Sequence, residues 1–188
     1  MDAFVALDAS TALLRRQLAA VAPDQWDEPS ACEGWSVRQV ADHVLGGGYR
    51  YRLWLTGAPR AEVEASRAWD FVGTDAVAAL DEHAASLRAA LAEPGALERP
   101  VAHVAGEIPG RGLLELRVLE QTLHAWDIAV GIDGDRTIDP DLCAFLLAAA
   151  STVDRLREQG YYAPAAPGAP DHGAAPQERL LRLTGRWR

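Results

Sequence analysis

Two histidines and a glutamate pose the chemical question in this chain: His43, Glu120 and His124. Glu120 and His124 stand four residues apart in a leucine-rich stretch, so on a helix they stack on one face. Asp127 follows three residues later, close to that same face. His43 lies far upstream in a second helical stretch, and two helices packed side by side would bring it onto the Glu120/His124 pair. Two imidazoles and one carboxylate are a recurrent zinc donor set, and three protein ligands leave a coordination position open. Water or a thiol at such a position loses its proton more readily than in bulk solvent. Each half of the pattern has a plainer reading. Glu-x-x-x-His also describes an ordinary pair on a helix surface, and a lone His43 also describes a buried, hydrogen-bonded histidine. Asp127 would either orient a ligand histidine or pair with an arginine or with the backbone near Trp35 and Ser36.

The elements that must position these residues follow from capping and periodicity. Residues 2–21 carry apolar positions at helical spacing (Phe4, Leu7, Leu14, Leu18, Val21), and Pro23 ends the run. Ser36, with Gln39 three residues on, forms a capping box that opens a second helix. Gly46-Gly47-Gly48 interrupts that helix, either as a break or as room for a ligand or a close helix just after His43. The aromatic residues Tyr49, Tyr51 and Trp54 follow and would line such a space. Thr74 or Asp75 caps a third helix that Pro94-Gly95 stops. Residues 99–109 read as a short extended excursion between helices. The fourth helix runs over residues 113–130 with Gly131 as its C′ residue. Asp139-Pro140 opens a fifth that ends at Gly160. The pattern predicts an all-α antiparallel four-helix bundle over residues 1–162, a Pro/Gly/Ala-rich coil over 163–176, and a tail over 177–188 that docks on the bundle.

The bulk composition narrows the function. The chain has 188 residues and 49% hydrophobic content, enough for one domain with a core. No apolar run reaches the roughly 18–20 residues of a membrane span, and the N-terminus lacks a basic n-region, so the expected location is the cytoplasm. A net charge of −9 argues against nucleic acid and anionic membranes as partners. A small molecule is the expected partner, and a homodimer is the default assembly. All 18 basic residues are arginines. Cys32 and Cys143 read as a reduced pair with no Cys-x-x-Cys spacing. His83 and His103 read as surface or structural, and His172 as a coil residue. No phosphate loop, dinucleotide-binding glycine motif or nucleophile elbow is present. Arg50, Arg52, Arg117, Arg179 and Arg186 are candidates to contact a substrate carboxylate, and Tyr49, Trp54 and Arg117 are the substrate-side residues singled out.

The segments carrying the triad resemble a known family. Gly34-Trp35-Ser36-Val37-Arg38, followed by His43, resembles a signature of the DinB/YfiT-like superfamily. The match is narrower with the actinobacterial branch that contains the N-terminal domain of mycothiol-dependent maleylpyruvate isomerase. Glu120-Gln121-Thr122-Leu123-His124-Ala125-Trp126-Asp127 resembles that branch's second metal segment, and Gly106–Gly110 and Pro176–Arg186 resemble its other elements. The resemblance implies a four-helix bundle holding a divalent metal on His43, Glu120 and His124. Zinc is the leading ion, with nickel and iron as alternatives, and Asp127 stands behind the ligands. It further implies mycothiol as cosubstrate and thiol transfer or isomerisation as the reaction. The isomerase carries a further C-terminal domain, whereas this chain ends at Arg188 after a short tail, so maleylpyruvate itself is not the expected substrate. Two other classes stay open: a metal-binding bundle without catalysis, and a thiol-independent cyclase or hydrolase.

Overall fold

Several helices start where the sequence supplies a cap. The fold is a computed structural model that describes residues 1–103, 106–149, 153, 157–158, 160, 164 and 173–186. Helix α1 (Ala3–Ala20) opens on Asp2, whose carboxylate accepts from the Phe4 and Val5 amides at 2.9 and 3.0 Å. Helix α2 (Val37–Leu55) opens on the Ser36/Gln39 capping box. A short α3 (Arg60–Ala65) runs into a 3-10 turn (Ser66–Ala68). Helix α4 (Ala76–Leu91) starts at Asp75, which accepts from the Ala78 amide at 2.9 Å. Such caps contribute about 1 kcal/mol each. Strands β1 (Pro100–His103) and β2 (Gly106–Pro109) form an antiparallel hairpin that leads directly into α5 (Gly110–Gly131). Asp139 caps α6 (Pro140–Ala148), and α7 (Pro176–Leu183) carries the tail.

The architecture is mostly helical with this one small sheet. Helix α1 packs on α4 and α5, and α2 packs on the same two helices, so the four enclose a common core. Leu14 of α1, Val44 of α2, Leu80 and Leu87 of α4 and Leu123 of α5 are buried there. Inside this apolar contact, Ser10 donates to the Gln121 side chain at 2.9 Å and so fixes α1 against α5. The hairpin lies against α2 and α5, and α7 lies on α6.

Four sequence expectations need correction or completion. Gly46-Gly47-Gly48 does not interrupt the second helix, which continues unbroken to Leu55. The glycines are there for clearance. A Cβ on Gly46 would lie 2.7 Å from Arg50 Nη1 and Phe71, and one on Gly47 would lie 2.8 Å from Glu120 Oε2 and 2.9 Å from Arg117 Nη1. The fourth helix does not stop before Gly131 as a left-handed cap. It includes Gly131, and the left-handed residue is Asp133, with φ of 52°. Helix α3 and its 3-10 turn were not foreseen, because a single six-residue segment with one buried residue, Val63, has no periodicity to read. The end of the fifth helix beyond residue 149, most of the expected coil and His172 fall outside or largely outside the described residues.

Replacing a helical glycine by alanine ordinarily gains about 0.5–1 kcal/mol. At Gly47 the new methyl would press on two pinned side chains, so Gly47→Ala is expected to destabilise by roughly 1–3 kcal/mol. Gly112→Ala, where the added Cβ meets nothing closer than 3.7 Å, is expected to be neutral or to stabilise by up to about 1 kcal/mol. Urea unfolding of both variants tests this, and a stabilised Gly47→Ala would refute the clearance account.

Candidate metal centre and its cavity

Helices α2 and α5 run antiparallel and bring the predicted residues together. Val37 lies by Gly131, the Val44 carbonyl accepts from Arg117, and Leu55 lies by Gly110. In that register His43 meets the Glu120/His124 face. His43 Nε2 is 3.3 Å from Glu120 Oε1, and the His43 and His124 rings stand edge to face with centroids 5.0 Å apart. One donor atom from each of the three residues lies within 4.8 Å of the others. A separation of 3.3 Å is the edge of a tetrahedron with bonds of about 2.0–2.1 Å, the length of zinc–nitrogen and zinc–oxygen bonds. The His43–Glu120 edge therefore has the length a small divalent ion would need, and the third donor lies within 4.8 Å of both.

The carboxylate is prepared for this role by Arg117. That side chain is 1% exposed, and its Nη1 donates both to the Val44 carbonyl at 2.8 Å and to Glu120 Oε2 at 2.7 Å. Burial alone would raise the Glu120 carboxyl, but the His43 hydrogen bond and the Arg117 charge hold it at about 2. Glu120 is thus ionised at neutral pH, with Oε2 committed to Arg117 and Oε1 directed at His43. Arg117 is buried beside the triad and, among the described residues, does not line the cavity.

Asp127 contacts both a triad histidine and an arginine. Its Oδ2 lies 2.9 Å from His124 Nδ1, and Arg186 grips both of its oxygens at 2.8 Å. Arg186 and His124 keep Asp127 well below the usual carboxylate range although burial opposes this. An ionised carboxylate only accepts, so His124 Nδ1 carries the hydrogen and Nε2 keeps the lone pair. Burial favours neutral His124 and lowers its pKa, an effect that the Asp127 contact offsets only in part. This carboxylate–imidazole relay is the usual support behind a metal-bound histidine. Cys32 joins the same node: its Sγ donates to Asp127 Oδ2 at 3.1 Å. Burial and the Asp127 charge push this thiol up to about 12, so it is a protonated donor at neutral pH and not a nucleophile.

The triad opens onto a cavity of about 810 Å³. Its wall includes Cys32, Trp35, Trp54, His103, Trp126 and Arg186. Of the three residues expected to face substrate, only Trp54 lies on this wall among the described residues. Tyr49 packs instead against Trp69, Phe71 and His83. Arg50 lines the cavity but is tied to the His43 carbonyl at 3.2 Å, and Arg52 stacks over Tyr49. His103, read as surface or structural, stands on the cavity wall beside Trp54. Sequence reading also underrated Cys32 and could not select Arg186.

These protonation states set the acid stability of the metal-free chain. Glu120 and Asp127 have depressed pKa values, so their stabilisation is complete above the ordinary carboxylate range and is lost as pH falls through the folded values. His124 adds in the same direction, because below its ordinary 6.5 the unfolded chain takes up a proton that the folded chain resists. The unfolding free energy is expected to fall with pH below 6.5, and Glu120 contributes on the order of 1–3 kcal/mol between 4.5 and about 2. Glu120→Gln should flatten that last limb in a series of urea unfolding curves, and an unchanged slope would contradict the assignment.

Comparison with known proteins relates the chain to one family. The family described as mycothiol maleylpyruvate isomerase N-terminal domain matches residues 7–129, a span that contains all three triad residues. Two uncharacterized proteins from strains of Mycobacterium tuberculosis are each 30% identical over 180 residues, covering 95% of this chain and 86% of the relative. A crystal structure of the mycothiol-dependent maleylpyruvate isomerase superposes with a TM-score of 0.70 at 19% identity, covering 99% of this chain and 90% of that one. A histidine-to-alanine mutant of the same enzyme gives 0.56 at 23% identity, covering 81% and 70%. These two likenesses are of fold. By the match across residues 7–129, this chain belongs to the mycothiol maleylpyruvate isomerase N-terminal domain family.

Proposed function

We propose that this protein is a divalent-metal-dependent enzyme of the family's bundle fold that activates a low-molecular-weight thiol, mycothiol, for transfer to or isomerisation of a small electrophile. The observation that carries this reading is the convergence of His43, Glu120 and His124 at the wall of a cavity large enough for a reactant. Two imidazoles and a carboxylate favour zinc, and nickel and iron(II) accept the same donors. When bound, the ion would supply Lewis acidity at an open coordination position. The chain's own residues do the rest. His124 offers Nε2 because Asp127 holds the hydrogen on Nδ1. Glu120 offers Oε1 because Arg117 holds Oε2. Trp35 packs edge to face on His43 at 5.2 Å and limits its rotation. Water replaces the thiol as the activated group in a less specific version of the same chemistry.

A purely structural metal is the rival reading, and the exposure of the site weighs against it. Structural zinc sites are closed, with four protein ligands, whereas catalytic ones keep a position open. Here the His43 side chain is 37% exposed and faces the cavity.

Elemental analysis of the purified chain is expected to find one divalent ion per molecule, lost in His43→Ala and in His124→Ala. Unchanged metal content in His43→Ala would end the proposal. In cobalt-substituted protein, added mycothiol is expected to shift the visible absorption bands. A spectrum that mycothiol leaves unaltered would remove the thiol and leave water as the activated group.

A further inference from the structure

The cavity has two chemically different arms on either side of the triad. Along α2, His43, Gly47, Tyr51 and Trp54 fall on one face, and eleven residues at about 1.5 Å rise separate His43 from Trp54 by about 16 Å. Because α5 runs the other way, Leu116 lies one turn from Glu120 toward the Trp54 end. The loop and tail residues Cys32 and Arg186 lie with Asp127 at the opposite end. The arm beyond Glu120 is built from rings. Trp54 and His103 meet edge to face at 4.5 Å, and Tyr51 stands 5.4 Å from Trp54 and 5.7 Å from His103.

We propose that the arm walled by Tyr51, Trp54 and His103 is a subsite for a flat apolar group, an aryl or conjugated ring carried by the electrophilic reactant. The identification of that reactant rests on the metal-dependent reading above. The subsite itself rests on the ring geometry. Rings set at steep angles to one another form a corner that a third flat ring fills by stacking on one wall and meeting the other edge on. A cation is the wrong occupant, because the Arg117 guanidinium already lies 5.7 Å from the Tyr51 ring centre and Arg50 lies on the same wall. A sugar also stacks on tryptophan but needs polar partners around its rim. Tyr51 is 6% exposed, Trp54 and His103 are half-buried, and burial pushes His103 down to about 4, so a guest here loses much of its water and a hydroxylated one is disfavoured.

The probe is 2-naphthol, neutral and flat, titrated into the full chain both as purified and after chelation. The readout is the indole N–H signal of Trp54 in a nitrogen-15 NMR spectrum, assigned by its loss in Trp54→Phe. The Trp54 signal is expected to move in both preparations, with Trp54→Ala weakening binding about tenfold and Trp54→Phe less than about threefold. The wild-type signal needs no variant, so a poorly folded Trp54→Ala leaves the test intact. A Trp54 signal unmoved by saturating 2-naphthol, or methyl glucoside binding there more tightly than 2-naphthol, would overturn the assignment. Binding that survives chelation stands whether or not the metal reading does, so the two can fail separately.

Discussion

Arg117 governs how α2 and α5 meet. Its guanidinium is buried where no water can solvate it, and a charge in that position must be met by fixed partners. The Val44 carbonyl and the Glu120 carboxylate supply them. Both demands fall on the same stretch of α2, which has to come close enough to offer a backbone oxygen and leave space for the ion pair. A side chain at Gly47 would occupy that space. The position of Glu120 and the side of α2 that His43 occupies therefore follow from one desolvated cation. A buried pair of this kind adds little net stability against an apolar substitute, but removing one partner strands the other.

Asp127 is the second fixed point, and it gathers residues from three parts of the chain. The loop before α2 contributes Cys32 and the Ala31 amide, α5 contributes His124, and the tail contributes Arg186. The bidentate arginine leaves the carboxylate little freedom to rotate. That rigidity passes to the imidazole, whose hydrogen-bearing nitrogen is thereby decided. Arg117 and Asp127 act alike from opposite ends: each occupies one side of a donor group and leaves the other side directed into the cavity.

What the sequence made legible was local. Capping boxes, Asp caps and an i,i+4 pair are interactions within one turn, and Ser36, Asp75, Asp139 and the Glu120/His124 pair all appear as expected. Tyr49 was expected on the cavity side and lies elsewhere, for a reason that helical phase explains. Six residues after His43, at about 100° per residue, it falls on the far side of α2, while Tyr51 and Trp54 return to the near side. The triple glycine was ambiguous because a break and a clearance use the same residues, and only the arriving Arg117 and Glu120 tell them apart. Cys32, His103 and Arg186 were illegible for a different reason. Each is placed by the path of a loop, hairpin or tail, and no spacing rule relates them to His124 or Trp54.

The Arg186 clamp also imposes an order on assembly. Arg186 lies 59 residues beyond Asp127, so a ribosome finishes α5 well before it makes the arginine. Until then the Asp127 carboxylate has only a neutral imidazole and a thiol beside it, with no cation to balance it. The helices can pack in this interval, but the Asp127 charge is compensated only when Arg186 emerges. The site therefore reaches its electrostatic balance only after the helices that carry its residues have been made.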